Sequence, residues 1–299
     1  MSSTDEIKLG KYANVLMDRQ FKRTFGTEQG KRLLQLFLQE LIPERTIVDL
    51  QYTPQEHVNP DEENKDVRID VECTDQDGSR FVVEVQTARQ AGFYERAIYN
   101  ASFAIQEQIL RGDSAYLFPP VYFIGIMDFV LHEGSDQWLY RYQLREEHSR
   151  ELMSDRIQYI FLELPNCKKA LTPEATLLEN FCYTLRNMSS WDERPAALNE
   201  EIFDLLLNST EIANFTAGER KKYIHDMTTK RDIQNQIAYA REEGREEGKG
   251  LGREEGRDLG IEQEKEATVR RMRVVGFSVA DIAKATGLSL EEIAKLKAS

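Results

Sequence analysis

The chain has 299 residues, 40% of them hydrophobic, which is enough to bury a full core in one large domain or two modest ones. Its 52 acidic and 39 basic residues give a net charge of -13, which excludes adhesion to DNA or anionic membranes through bulk charge, so contact with DNA requires a local basic patch. The three cysteines and four histidines show no paired metal-ligand spacing, which excludes a disulfide framework and argues against a zinc site.

Helical and extended patterns alternate along most of the chain. From residue 18 onward, leucine and phenylalanine recur at helical spacing up to Leu41, and Pro43 follows, which predicts an amphipathic helix that ends before the proline. An acidic loop is expected at 57–66. The other predicted segments are extended at 47–55, 68–86, 119–131, 137–146 and 156–165, and helical at 93–110, 175–188 and 198–207. This order predicts a mixed α/β fold.

Residues 68–86 predict a β-hairpin whose register depends on its turn. A two-residue turn would pair the apolar face of one strand with the polar face of the other. A three-residue loop at 76–78, with Gly78 in the left-handed conformation, instead pairs Val71 with Val83 and makes one face wholly apolar. We therefore expect the three-residue loop.

The same register places Asp70 directly opposite Glu84, with Cβ atoms about 5 Å apart. Like charges so opposed destabilise a sheet unless something compensates. One explanation is a solvated outer face on which Arg68 relieves the repulsion. The other is a divalent cation, because two carboxylates with several waters suit Mg²⁺, which also binds phosphate oxygens. The residues alone leave both explanations open.

Two segments bear on membrane association. The first ten residues lack the apolar core of a signal peptide, and the longest apolar stretch, 116–131, is interrupted by Pro119, Pro120 and Asp128. We therefore expect a cytoplasmic protein without a membrane partner.

Residues 241–260, REEGREEGKGLGREEGRDLG, carry glycine at every fourth position with charged residues between. Each glycine costs about 1 kcal/mol in a helix interior, whereas each Glu–Arg pair returns only about 0.2–0.5 kcal/mol. An isolated helix here is marginal. One interpretation is a charged, weakly helical spacer, and the other is a homodimer in which two such helices approach closely.

The C-terminal end of the chain has the pattern of a helix-turn-helix. Ser278 and Ser289 can cap two short helices, and Gly287 can turn the chain between them. The second helix begins with Glu291 and Glu292, which opposes its insertion into the DNA major groove. Arginine residues precede the first helix at positions 270, 271 and 273. These arginines could contact phosphate, and the alternative for the module is packing or self-association.

Several sequence blocks, in this order, resemble the PD-(D/E)XK nuclease family transposases, also called recombination-promoting nucleases. The blocks are FKRTFG at 21–26, the spaced D…ExQ of Asp70, Glu84 and Gln86, Gly112 with Tyr116, PPVYFIGIMDF at 119–129 and FLELP at 161–165. The resemblance covers roughly residues 15 to 235. It implies a restriction-endonuclease-like core, which is a mixed sheet flanked by helices.

The resemblance also implies a chemistry for the hairpin. Asp70 and Glu84 would bind Mg²⁺, with Mn²⁺ as an alternative, and the metal would activate water for attack on a DNA phosphodiester. The wider superfamily has lysine as the last motif residue, where this chain has Gln86, as this branch does. Gln86 can orient a water or a phosphate, but it supplies no positive charge.

Other residues could complete this site. Arg96 on the following helix is our preferred source of the missing cation, and Arg89 and Lys65 are alternatives. Superfamily members often take another acidic metal ligand from the first helix, where Glu28 is the nearest candidate; its other explanation is a first-turn acid that favours the helix dipole.

The DRQFK block contributes Asp18 and Lys22, and Lys22 is a candidate for phosphate contact. We expect a tail at 1–14, a nuclease-like core at 15–165, a helical subdomain at 166–235, the charged glycine-repeat segment at 236–266 and the helix-turn-helix-like module at 267–299.

The leading functional hypothesis is a metal-dependent DNA endonuclease acting in recombination or transposition-like events. One alternative is a non-catalytic DNA-binding regulator that retains a nuclease-like scaffold and binds DNA through its C-terminal module. The other is an interaction protein that self-associates through the glycine-repeat helix.

Overall fold

The computed structural model describes residues 9–53, 70–109 and 116–296. The chain divides into two compact units, Met1–Ile224 and His225–Ser299. The predicted acidic loop, Lys65, Arg68 and Gly112 lie outside the described residues. Within the described ranges, no helix combines the length and the apolar composition needed to cross a lipid bilayer.

The first unit is built on a six-stranded mixed sheet in the order β1-β2-β3-β4-β6-β5. Its strands are β1 (Leu50–Tyr52), β2 (Val71–Asp75), β3 (Arg80–Gln86), β4 (Val121–Met127), β5 (Leu139–Arg145) and β6 (Leu152–Glu163). β3, β4 and β6 are parallel, and the other neighbouring pairs are antiparallel. The fold is therefore α/β, as predicted, and consistent with a restriction-endonuclease-like core.

Helices cover both faces of this sheet. They are α1 (Asp18–Phe25), α2 (Lys31–Leu41), α3 (Phe93–Gln106), α4 (Leu177–Asn187) and α5 (Glu201–Thr210). α1, α2, α4 and α5 share one apolar cluster with the sheet face that carries Val71 and Val83. α3 packs on the opposite face, where Ala97 and Ala101 join a second cluster with Val82. The candidate carboxylates lie at the edge of this second layer.

The first predicted helix is divided into two. Gly26 ends α1, and the side chain of Thr27 accepts a hydrogen bond from the Gly30 N–H at the start of a short 3₁₀ turn that leads into α2. A Cβ atom at Gly30 would lie 2.0 Å from the carbonyl oxygen of Thr24. The close backbone approach needs glycine, and this local geometry overrides the continuous apolar spacing.

Two predicted domain boundaries fall inside the packed body. Tyr12 and Ala13, placed in the tail by sequence, are buried, and the Ala13 N–H donates to the Thr210 carbonyl oxygen over 2.8 Å. Residues of α4 and α5 belong to the same apolar cluster as the sheet. The described helices of the segment from 166 to 224 therefore pack in one apolar cluster with the sheet, and the division into core and helical subdomain stays a prediction.

The absence of a side chain at Gly125 lets two aromatic rings pack against β4. A Cβ atom there would lie 2.9 Å from the Phe161 ring and 3.3 Å from the Phe93 ring. Gly125→Ala should therefore lower the free energy of unfolding by about 1–3 kcal/mol, because buried rings must shift. Chemical denaturation measures the effect. The control is Gly218→Ala, whose Cβ would meet open space and which should be neutral or slightly stabilising. An unchanged midpoint for Gly125→Ala would contradict this account of the packing.

The second unit contains most of one long helix and two short ones. α6 (Ala217–Val275) runs through the whole glycine repeat without interruption, so the repeat is helical in the structure. The short helices are α7 (Val279–Thr286) and α8 (Leu290–Lys295). Ser278 and Ser289 cap them through their side chains, and Gly287 takes a left-handed φ of 73°, as the sequence predicts.

Candidate active site

The β2–β3 hairpin has the predicted register and turn. The paired residues include Val71 with Val83 and Cys73 with Phe81. The loop is 76–78, and Gly78 has a φ of +82°. The Asp75 carboxylate holds the turn by accepting hydrogen bonds from the N–H groups of Asp77 and Ser79, at 3.0 and 2.9 Å. Hydrophobic alternation and one glycine therefore fix which residues face each other.

The carboxylates of this hairpin are buried. Asp70 and Glu84 are each 8% exposed and Glu72 is 3% exposed. The explanation in which these carboxylates lie on a solvated outer face is therefore wrong, and Val82, two residues before Glu84, packs against α3 on the same face of the sheet. Buried carboxylates need specific partners, since the charged form is costly to desolvate.

Glu84 finds its partners on α3. The Arg96 guanidinium forms an ion pair with Glu84 Oε1, and Asn100 Nδ2 donates to Oε2 over 3.0 Å. Burial raises the pKa of Glu84, and the charge of Arg96 together with the Asn100 hydrogen bond opposes that rise. Arg96 and Asn100 lie one turn apart, so a single helix face holds both carboxylate oxygens.

Asp70 finds its partners on α1 and β3. Its Oδ2 accepts a hydrogen bond from the Val85 N–H over 2.7 Å, and Lys22 Nζ lies 3.6 Å from Oδ1. Burial and a hydrogen bond with the Asp18 carboxyl raise the pKa of Asp70 to about 7. Burial of Asp18 raises its own pKa, but the hydrogen bond with Asp70 and the charge of Lys22 lower it, and the net shift is downward. The hydrogen bond between the two carboxyls therefore raises the pKa of Asp70 and lowers that of Asp18.

The two candidate ligands approach the same stretch of β3. Asp70 bonds to the backbone of Val85, the residue that follows Glu84. The positive charge of Lys22 acts on both carboxylates and lowers the pKa of each. Lys22 also lies 2.9 Å from Asp18. Acidic and basic side chains from α1, β2, β3 and α3 therefore form one cluster.

Gln86 lies two residues beyond Glu84 and so on the same face of β3. Its backbone carbonyl accepts from the Asp128 N–H over 2.9 Å. Its side-chain oxygen Oε1 is buried and has no hydrogen-bond partner within the described ranges. Buried acceptors are normally satisfied, so this oxygen fits a group that the described residues do not supply, such as a metal ion or its bound water.

Glu28 pairs with a lysine that is not part of the carboxylate cluster. Its carboxylate is 3.0 Å from Lys31 Nζ, and its side chain is 75% exposed. The acid that α1 brings into hydrogen-bonding contact with Asp70 is Asp18. Glu28 as a metal ligand stays a prediction.

Two residues of the cluster were not assigned this role from sequence. The sequence places Asp18 in the DRQFK block but does not pair it with Asp70, and it gives no role to Asn100. A sequence signal exists for Asn100, because it shares the helical spacing of the buried residues Ala97 and Ala104.

The candidate cations differ in position. Arg96 contacts Glu84, whereas Arg89 is 55% exposed and lies 2.9 Å from a Glu133 carboxylate oxygen. Lys65 lies outside the described residues. Of the candidates whose positions are described, Arg96 therefore has the direct contact with the carboxylate cluster.

The donor set can be tested for its fit to a divalent cation. Asp70, Glu84 and Asp18 supply carboxylate oxygens, and Gln86 supplies an unsatisfied amide oxygen, which are the ligand types that Mg²⁺ prefers. Lys22 and Arg96 balance part of that negative charge in the metal-free protein. Among the described residues, no group of three or more histidine, cysteine or acidic side chains is placed so that it could hold a metal ion. The residues fit a metal held by few protein ligands and several waters.

Comparison with known protein families gives a match that covers most of the chain. The family model described as PD-(D/E)XK nuclease family transposase matches residues 15–240. Neither curated proteins nor solved structures gave a significant match. The matched range contains the entire carboxylate cluster and the sheet that supports it. The chain therefore belongs to the PD-(D/E)XK nuclease family transposases.

Proposed function

We propose that this protein is a metal-dependent endonuclease that hydrolyses DNA phosphodiester bonds in recombination or transposition-like events. The observation that carries the proposal is the pair of buried carboxylates at the β2–β3 hairpin, Asp70 just before β2 and Glu84 on β3, each beside a cation. Family membership supports a nuclease, and the cluster supports hydrolysis with Mg²⁺ or Mn²⁺.

Each side chain has a role in this proposal. Asp70 and Glu84 hold the metal ion, which when bound supplies Lewis-acid chemistry and lowers the pKa of its water. Gln86 orients a water or a phosphate oxygen through its amide group. Arg96 stabilises negative charge that develops on the phosphate, and Lys22 attracts the DNA backbone. Asp18 helps to raise the pKa of Asp70 through their hydrogen bond, so Asp70 must release a proton to solvent before it can bind a metal ion.

A plasmid-nicking assay tests the function directly. The full chain should convert supercoiled plasmid to nicked or linear DNA with Mg²⁺ or Mn²⁺, and chelation with EDTA should stop the conversion. Restoring metal in excess over EDTA should restore it, which controls for loss of protein. Cleavage that persists at full rate in EDTA would exclude metal dependence.

Metal binding should depend on pH because the ion must displace a proton from Asp70. The pKa of that carboxyl is raised to about 7, so it is largely protonated below pH 7 and ionised above it. The apparent affinity for Mg²⁺ should therefore fall up to about tenfold per pH unit below pH 7 and level off above it. Calorimetric titration from about pH 5.5 to about pH 8.5 measures this.

The Asp18→Asn variant isolates the cause of that pH dependence. The substitution removes a carboxyl whose hydrogen bond and charge help to raise the pKa of Asp70, although burial remains the larger cause. The midpoint of the affinity profile should move to lower pH. An unchanged midpoint would show that Asp18 does not help to raise the pKa of Asp70.

The alternative of a DNA-binding regulator has less support from the C-terminal module. Arg273 donates to the backbone carbonyl oxygens of Ile293 and Leu296, and Arg271 forms an ion pair with Glu264. These two arginines therefore have partners within their own unit. Homodimerisation through α6 stays a prediction.

A further inference from the structure

A groove of about 370 Å³ lies on the flank of α3 away from Glu84. It is formed by α3, β5 and β6, and its walls are almost entirely apolar. The lining side chains include Tyr94, Ile98, Tyr142, Leu144, Tyr159 and Phe161. Ligand pockets in proteins span about 300–1,000 Å³, so the space admits a small planar group.

The lining chemistry favours an aromatic ring as the occupant. Tyr94 and Tyr142 stand with ring centroids 6.1 Å apart, and each ring also lies within 6 Å of the Phe161 ring. Ile98 and Leu144 are 53% and 42% exposed, so the outer wall is open to an incoming group. Aromatic and apolar walls of this kind bind nucleobases by stacking, largely without regard to base sequence.

A buried hydrogen-bond network holds the groove's tyrosines in place. The Glu163 carboxylate is fully buried and accepts hydrogen bonds from the N–H groups of Leu131 and His132 and from His132 Nδ1, the last over 2.6 Å. Because the carboxylate accepts from Nδ1, His132 Nε2 is free to accept. The Tyr142 hydroxyl donates to it over 2.6 Å, and the Tyr94 hydroxyl lies 3.0 Å from it and 3.4 Å from the Tyr142 hydroxyl. The stacking surface is therefore pre-organised.

The groove and the carboxylate cluster share one edge of the sheet. The carboxyl ends of β3, β4 and β6 align, with Gln86 beside Met127 and Met127 beside Glu163. The loop after β3 contacts the loop that carries His132 through the Arg89–Glu133 ion pair. A DNA strand held at the cluster can therefore follow this edge around the amino-terminal end of α3 to reach the groove.

We propose that this groove receives an unpaired base of the DNA substrate, so that the nuclease acts where DNA is single-stranded or locally opened. The proposal rests on the proposed function, because it extends the substrate surface of that same site. A base within a duplex is stacked on its neighbours and cannot offer its faces to the groove, whereas an unpaired or extruded base can.

The test compares the affinity for three oligonucleotide duplexes in EDTA, which keeps cleavage out of the measurement. The duplexes are fully paired, carry one unpaired base, or carry an abasic site at the same position. The full chain should bind the unpaired base about tenfold more tightly than the abasic site, as judged by fluorescence anisotropy. Equal affinities for these two duplexes would overturn the proposal, whether or not the protein cleaves plasmid DNA.

Ile98→Trp fills the mouth of the groove and should abolish the preference for the unpaired base. Leu251→Trp is the matched control, since Leu251 is similarly exposed on α6, at 57%. It should leave the preference intact. Circular dichroism should show that both variants are folded. If Ile98→Trp retains the preference, or if it instead converts a dimer to a monomer in light scattering, the groove is not a base site.

Discussion

Asp70→Asn should lower metal-dependent DNA cleavage by at least about 100-fold while leaving DNA binding in EDTA nearly unchanged. Metal-ion catalysis supplies several kcal/mol of transition-state stabilisation, and each 1.4 kcal/mol corresponds to about tenfold in rate. A neutral amide is a poor substitute for a carboxylate as a ligand for Mg²⁺. Plasmid nicking measures the rate, and fluorescence anisotropy measures the binding.

The Asp70→Asn variant should fold, because the amide resembles the protonated acid. The pKa of Asp70 is raised to about 7, so the metal-free protein already carries a neutral carboxyl at mildly acidic pH. The asparagine oxygen can still accept the Val85 N–H hydrogen bond. Asp77→Asn in the same hairpin is the matched control, since Asp77 is largely exposed and contacts Arg45. Equal cleavage by the wild-type chain and Asp70→Asn would exclude the proposed site.

The local geometry of this site could be predicted from sequence. Strand side chains alternate with a period of two, and only the three-residue loop brings the apolar residues of both strands to one face. Gly78 supplies the positive φ that the loop needs. The pairing of Val71 with Val83, the residues next to Asp70 and Glu84 in the chain, follows from these local rules.

The surroundings of the site could not be predicted in the same way. Whether the polar face meets water or a helix depends on where α3 packs, and the buried alanines of α3 indicate only that it packs on something. Asp18 is 52 positions from Asp70 in the chain, and only the tertiary fold brings their carboxyls together. The apolar spacing likewise does not predict the break between α1 and α2, where the backbone of Gly30 lies close to that of Thr24.

Arg96→Ala should lower the cleavage rate by about 10²–10³-fold, the second large effect expected. Removal of one preorganised donor that stabilises transition-state charge typically has an effect of this size. The substitution also leaves Glu84 buried without its ion-pair partner, which should lower the free energy of unfolding by about 1–3 kcal/mol; the Arg96 side chain is 36% exposed, so the loss is smaller than for a fully buried pair. Nicking kinetics and chemical denaturation separate the two effects.

Arg89→Ala is the control for the source of the cation. Arg89 is exposed and pairs with Glu133, so its removal should change the cleavage rate by less than about fivefold. If Arg89→Ala loses activity and Arg96→Ala keeps it, Arg89 and not Arg96 stabilises the charge that develops on the phosphate. If both variants cleave normally, neither arginine compensates for the lysine that is absent from the motif.

A lysine at position 86 tests whether Arg96 acts through its charge. Gln86 and Glu84 share a face of β3, so Gln86→Lys places an ammonium beside the carboxylate cluster, where the wider superfamily carries one. In the Arg96→Ala background this substitution should restore at least about tenfold of the lost rate, because the developing charge on the phosphate again meets a cation. If Arg96 only positions Glu84, the rate should not recover. A lysine on β3 cannot replace the Arg96 ion pair that, together with the Asn100 hydrogen bond, holds both oxygens of the Glu84 carboxylate. Recovery of rate without recovery of stability would therefore assign to Arg96 the charge that Gln86 lacks.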